Sequence, residues 1–270
     1  MGITERKERE REARRNAILD ATEQVVKGKG FATATMDDIA KTAELAKGTV
    51  YLYYKSKEEL MVGLMIRGND LLHDIFTEEI ATKETNFDKL LATGDAYWKF
   101  AHEHPFYFSL HLSDHMPQNF GQINSDMIAT LQERSTDIWK LLVDLLEGSK
   151  MEGMVKNEVD SFSVAMLLWL NSMSVLRMNH KIKSMPNNVY ADSDGYNPCE
   201  VNFRDMYDLN ATILMHEIAT ERGIEALGPI AWPQNTQRLT NMVKCTDRGN
   251  VSIGTFAEDV LVAQGFESGL

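Results

Sequence analysis

Apolar residues recur three and four positions apart along most of this chain, the spacing that gathers them on one face of an α-helix. No segment alternates apolar and polar residues long enough to predict a strand, and the hairpin-type pair Asp194-Gly195 stands in a polar stretch. The pattern predicts an all-α fold of about nine helices. A first helix runs from about Glu5 to Lys27 with Ile18, Thr22, Val25 and Val26 inward, and Gly28 and Gly30 end it. Thr35 and Asp38 form a capping box for a short second helix at 36–42, whose buried stripe is Ile39, Ala40 and Ala43. A tight turn at Glu44-Leu45 leads into a third, about Ala46 to Tyr53, with Val50 and Tyr54 pointing inward. Ser56 caps a fourth that reaches about Ala81, apolar at Leu60, Leu64, Leu71, Leu72, Ile75 and Phe76. Further helices are expected at 87–103, 105–112, 122–148 (ended by Gly148), 160–183 and 201–223. A polar linker spans 187–198, and 228–270 mixes Pro, Gly and Asn with scattered apolar residues and defines no clear element.

Composition narrows the class. With 270 residues, 43% apolar and 25% charged, the chain has ample material for a core. The opening MGITERKERERE has no apolar run of the secretory kind, and the longest unbroken apolar run, Val164 to Leu170, is too short to span a bilayer. Cys199 and Cys245 lie far apart without a CxxC partner, which suits a reducing cytosol and argues against zinc. The net charge of -12 is uneven: residues 1–60 hold 12 Lys and Arg against 11 Asp and Glu, and all the excess acid lies beyond. An acidic body with a separate small module that carries one basic face is compatible with nucleic-acid binding by that module alone. The expected division is therefore a DNA-binding unit at 1–56, a larger helical unit at 57–227 and a tail at 228–270.

Two short helices joined by a tight turn form a helix-turn-helix, whose second helix enters the major groove and presents its first residues to base edges. Lys47, Gly48 and Thr49 hold that leading edge, and helical spacing brings Tyr53 near Thr49. Gly48 allows close backbone approach, Lys47 reaches guanine acceptors or a phosphate, and Thr49 offers a hydroxyl or a methyl. Lys55 and Lys57 at the following junction suit phosphates. Near the N-terminus Arg6, Lys7, Arg9, Arg11, Arg14 and Arg15 alternate with Glu5, Glu8, Glu10 and Glu12; this arm is open to a minor-groove contact or to pairing within the helix.

From about Arg15 to Leu64 these residues resemble the TetR family of bacterial transcriptional regulators. The likeness rests on Ala17-Ile-Leu-Asp-Ala21, Gly30-Phe31, Thr35-Met-Asp-Asp-Ile-Ala40, Lys47-Gly-Thr-Val-Tyr51 and Tyr54-Lys-Ser-Lys-Glu-Glu-Leu60. It implies that Thr35, Tyr51 and Lys57 bind phosphate while Lys47, Gly48, Thr49 and Tyr53 face the groove. The family often has Gly-Val-Ser where this chain has Glu44-Leu45-Ala46, which removes a hydroxyl and adds a charge near DNA. The resemblance further implies a homodimeric regulator of double-stranded DNA, a repressor of a palindromic operator, with an effector-binding and dimerisation domain after the fourth helix. Leu167, Leu170 and Ser174 on the eighth helix, with Ile213 and Ile218 on the ninth, are the pairing candidates, and intrachain packing is the alternative for them.

Trp98, Phe106, Phe108, Met127, Trp139, Met166, Trp169 and Met173 give the larger unit an aromatic, methionine-rich interior, which predicts a small apolar or aromatic effector. His102, His104, His111 and His115, with Asp114, fall within fourteen positions; His111 and His115 have the spacing of one helical face, but no cysteine is near and no metal or other cofactor is expected. GxSxG, HExxH, P-loop and GxGxxG patterns are absent, so no enzyme is expected. The rival reading is a small-molecule or lipid-binding helical protein of the same fold that does not bind DNA; it has no need of Lys47, Gly48, Thr49 or Lys57.

Overall fold

The computed structural model describes residues 3–112, 123–183 and 202–231. Asp114, His115, Cys199, Cys245, the 187–198 linker and the tail after 231 lie outside the described residues. Ten helices run through the described residues: α1 Ile3–Lys29, α2 Met36–Thr42, α3 Lys47–Tyr53, α4 Lys57–Ile80, α5 Asn86–Glu103, α6 Pro105–Leu112, α7 Ser125–Met151, α8 Ser161–Lys183, α9 Phe203–Ile218 and α10 Glu221–Leu227. The stops and starts are side-chain chemistry. Gly30, left-handed at φ 80°, follows α1, and Thr35, Ser56, Thr85 and Asn124 cap α2, α4, α5 and α7 by accepting from backbone N–H groups.

The core is continuous from the small module into the large one. Ile18, Ile39 and Val50 of α1–α3 share a buried cluster with Leu60 and Leu64 of α4, and that cluster extends to Tyr97, Phe100, Phe108 and Leu176. A second cluster at the far end joins Phe87, Leu90, Leu145, Leu146, Val164 and Met215. Helix α4 packs against α1, α5, α6 and α7 and so connects both ends.

Two expectations are corrected here. Gly148 lies inside α7 and is buried; a Cβ there would stand 2.5 Å from Asn86 Cγ, so the residue permits close packing of α5 on α7. The helix ends at Met151, followed by Gly153 at φ 70°. The single helix expected at 201–223 is two helices. Ala219 turns extended to bridge Val155, and Thr220, whose N–H donates to Met154 O at 3.0 Å, caps α10 through Gly223 N.

Candidate nucleic-acid interface and effector cavity

Thr35 starts the helix-turn-helix unit. Its hydroxyl accepts from Asp38 N at 3.2 Å and donates to the Asp38 carboxylate, which in turn accepts from Thr35 N at 3.0 Å. Lys29 also pairs with Asp38, and these bonds, the Lys29 bond first, pull its carboxyl down to about 2. The turn that follows contains Glu44 at φ 55°, the left-handed conformation that glycine adopts without strain. The Gly of the resembled family therefore has a backbone reason here. Ala46 begins α3 with no side-chain cap.

Helix α3 buries Val50 and, just past its end, Tyr54, against Leu19 and Leu60 of the same cluster. That orientation turns Lys47, Gly48, Tyr51 and Leu52 outward, and Thr49 and Tyr53 sit half-buried at the flank. Leu52 is 76% exposed and was missed from sequence, where attention went to the polar residues. Its signal was available: once Val50 and Tyr54 point inward, position 52 points out. Nothing lies within 4 Å of a Cβ built on Gly48, so the front is open there. Lys47 Nζ pairs with Asp37 Oδ1 of α2 at 2.7 Å, which raises its pKa.

Lys57 points elsewhere. Its ammonium donates to Phe31 O at 3.0 Å and Ala32 O at 3.2 Å and stands 4.8 Å from the Phe31 ring centroid. It fastens the loop before Thr35 to the start of α4, and both Lys57 and the Thr35 hydroxyl are engaged inside the module. In the N-terminal arm Arg6 pairs with Glu10 at 2.9 Å, and Arg9 Nε donates to Glu5 O.

Above this module α4–α9 enclose a cavity of about 440 Å³. Its wall includes Met65, Asn69, Leu72 and Phe76 of α4, Leu90 and Tyr97 of α5, Leu110 and His111 of α6, Trp139 of α7, Trp169 of α8 and Met215 of α9. Of the residues expected from sequence, Trp139 and Trp169 line it, with centroids 5.5 Å apart. The others stand off the wall. Phe108 is buried in the core beside Tyr97, Trp98 stacks on His102 at 4.2 Å, and Phe106 lies under the Lys27 ammonium. Met127 packs near Val62 and Ile123, and Met166 and Met173 are half-buried on α8 away from the wall. Composition named the right material without its radial order, which needs the helix crossings.

The histidines also separate. His102 Nδ1 is 2.9 Å from Trp98 O and its Nε2 is 3.2 Å from Asn179 Nδ2; His104 is the C-cap of α5; His111 faces the cavity. Among the described residues no three metal-ligating side chains converge.

Two contacts tie cavity-lining elements to the helix-turn-helix module. Tyr107 of α6 donates to Glu23 of α1 at 2.5 Å. Glu59, buried at the start of α4, accepts from Lys55 N at 2.5 Å and Asn124 N at 3.2 Å, so one carboxylate joins the end of α3 to the cap of α7.

The outer face of α8 and α9 is apolar. Leu167 is 47% exposed, and Leu170, Met178, Met206 and Ile213 share this exposure; Ser174 is exposed beside them and donates to Leu170 O. Ile218, expected on that face, is instead 5% exposed within the second core cluster, because five positions along α9 place it roughly 140° around the helix from Ile213. By length and composition α8 is also apolar enough to cross a membrane: counting unbroken runs alone understates a helix interrupted mainly by Ser and Asn. It packs on α5, α7 and α9.

Residues 18–64 match the family described as bacterial regulatory proteins, tetR family. The fatty acid metabolism regulator protein of Bacillus subtilis is 27% identical over 143 residues, 53% of this chain and 69% of that protein. The transcriptional repressor NemR of Escherichia coli is 34% identical over 79 residues, 29% of this chain and 40% of its own length, so that match spans less than half of the relative. The crystal structure of the regulator FadR from Bacillus subtilis in complex with stearoyl-CoA aligns with a TM-score of 0.56 at 18% identity, over 75% of this chain and 98% of that one, which is a likeness of fold. The family match falls on the helix-turn-helix around α2 and α3, where the chain is similar to bacterial regulatory proteins of the tetR family, and a likeness of fold extends over the helical body around the cavity.

Proposed function

We propose that the chain is a one-component transcriptional regulator, a homodimeric repressor whose two α3 helices read a palindromic operator and which an apolar effector releases. The observation that carries this is the dual role of α4. Leu60 and Leu64 close the core under α3, and Met65, Asn69, Leu72 and Phe76 of the same helix line the cavity. An effector that fits the cavity only when α4 and α6 are displaced favours the conformation whose α3 spacing mismatches successive major grooves, about 34 Å apart.

Lys47, Gly48, Tyr51 and Leu52 form the base-facing front, with Thr49 and Tyr53 at its edge. Leu52 suits a thymine methyl, and Lys47, once it leaves Asp37, suits a guanine edge or a phosphate. Leu167, Leu170, Ser174 and Ile213 make the pairing surface with α8 and α9 of a second copy, which covers an apolar face otherwise open to water. The cavity size falls in the ~300–1,000 Å³ range of small-molecule sites, and the stearoyl-CoA complex of the Bacillus neighbour supports a long-chain acyl thioester as effector.

Selection from randomised duplexes with the full-length protein tests the proposal. Recovery of a two-fold symmetric site supports it; no enriched sequence at modest ionic strength rejects it.

A further inference from the structure

The polar groups on the cavity wall fall into two sets. Most are satisfied within the wall: Asn69 Nδ2 donates to Ser135 Oγ at 3.0 Å, Ser135 to Leu131 O at 2.9 Å, Thr93 to Leu90 O at 2.6 Å and Tyr207 to Gly94 O at 2.9 Å. Two are not. Tyr97 Oη and His111 Nε2 are both closed off from solvent and complete no well-aligned hydrogen bond, although the Trp169 side chain is near enough to act on the Tyr97 hydroxyl. Tyr97 is only 4% exposed. Both rings flank Phe100, with centroids 6.3 Å and 5.5 Å from it, and both residues line the cavity. A buried hydroxyl without an acceptor is costly to bury, so a ligand that supplies the acceptor recovers that cost on binding.

We propose that the effector carries a neutral carbonyl oxygen on an otherwise apolar body, and that Tyr97 and His111 receive that oxygen inside the cavity. This rests on the effector reading above and names its ligand chemistry. A carbonyl oxygen has two lone pairs, one for the Tyr97 O–H and one for an Nε2–H of His111. Among the described residues no Lys, Arg, Asp or Glu lines the cavity, so a carboxylate there has no counter-ion among them. Burial also keeps both groups neutral, raising the Tyr97 phenol and lowering His111 to about 4. The carbonyl of a thioester, an ester or a ketone fits equally, and any charged remainder of such a molecule stays at the mouth.

The test is calorimetric titration of the full-length protein with methyl undecyl ketone, tridecane, laurate and lauroyl-CoA. The ketone is expected to bind wild type about tenfold more tightly than tridecane or laurate, and Tyr97→Phe to erase that preference while leaving tridecane unaffected. His111→Leu is expected to weaken the ketone and His111→Gln, which keeps a donor, to retain it. Tighter binding of lauroyl-CoA than of the ketone, with the same Tyr97→Phe loss, identifies the thioester as the source of the carbonyl. Because the Tyr97 O–H has no protein acceptor, the thermal midpoint of unliganded Tyr97→Phe is expected not to fall markedly; a marked fall overturns the proposal. Equal binding of ketone and alkane to wild type and variant also overturns it and leaves the apolar cavity standing. If no probe binds, the effector cavity itself is refuted.

Discussion

The hydroxyl of Tyr107 on α6 donates to Glu23 on α1 at 2.5 Å, across the seam between a cavity-lining helix and the helix-turn-helix module. Lys27 flanks the same seam, paired with Glu23 and placed over the Phe106 ring at 5.1 Å. Leu110 and His111 of α6 face the cavity, so a ligand that shifts α6 pulls on this clasp. Tyr107→Phe keeps the ring and removes the bond. Effector affinity is expected to change little, while the effector-induced loss of DNA affinity falls about fivefold, near 1 kcal/mol. Anisotropy titrations of a labelled operator with and without effector measure it, and unchanged coupling assigns the clasp a structural role only.

The clasp also has a pH window. Burial raises the Glu23 pKa, but the Lys27 and Tyr107 bonds outweigh burial and leave it below its ordinary 4.5. A depressed folded pKa gives stability that is full above the unfolded value and is lost as pH falls through the folded one. Burial, then Glu23, raises Tyr107 from 10.0 to about 12, so its contribution is present below the unfolded value and is lost as pH rises through the folded one. Coupling is expected to be flat from about pH 5 to about pH 10 and to weaken on either side. A series of release titrations across pH checks this, and a step near pH 7 contradicts it.

The turn before α3 is strained and uncapped. Glu44→Gly relieves a left-handed non-glycine residue and is expected to add about 1 kcal/mol of stability. It also removes a negative charge next to DNA, so affinity rises. Ala46→Ser supplies the missing N-cap and is expected to add about 1 kcal/mol. Urea denaturation reads both, and a loss of stability in Glu44→Gly argues against the left-handed turn.

The two lysines have different partners. Lys47→Ala is expected to weaken DNA binding and flatten the salt slope by about one unit, whereas Asp37→Asn, which frees Lys47, strengthens binding. Lys57→Met is expected to lower the thermal midpoint of the module, because Phe31 O and Ala32 O lose their donor and the Phe31 ring its cation. If Lys57→Met changes the salt slope and leaves stability intact, Lys57 is a phosphate ligand after all.

Leu170→Glu places a charge on the apolar face of α8 and is expected to shift the dimer to monomer in sedimentation without unfolding it. Ile218→Ala, in the core, is expected to cost roughly 2–5 kcal/mol instead. A Leu170→Glu protein that remains dimeric rejects the α8–α9 pairing surface.

Local chemistry was the legible part. The Thr35–Asp38 box, the Ser56 cap and the inward Val50 are fixed by residues within one turn of each other, and so were readable from the chain. What failed depended on partners distant in sequence. Gly148 was taken for a helix end because its neighbour Asn86 is invisible to a local window, and the break at Ala219 is set by Val155. The cavity wall needed the helix crossings: aromatic content alone did not separate Trp139 and Trp169, which line it, from Phe108, which fills the core. Lys57, expected at phosphate from its place in a motif, also bonds Phe31 and Ala32, contacts that emerge only from the folded loop.

The central claim is that occupancy of the cavity and grip on DNA are one equilibrium. Stearoyl-CoA titrated into a preformed complex of the protein with its selected, labelled duplex tests this directly, with ligand binding followed in the same sample by intrinsic tryptophan fluorescence from Trp139 and Trp169. The account predicts that the duplex is released in step with the fluorescence change. A saturating fluorescence change with the duplex still bound at unchanged affinity contradicts it.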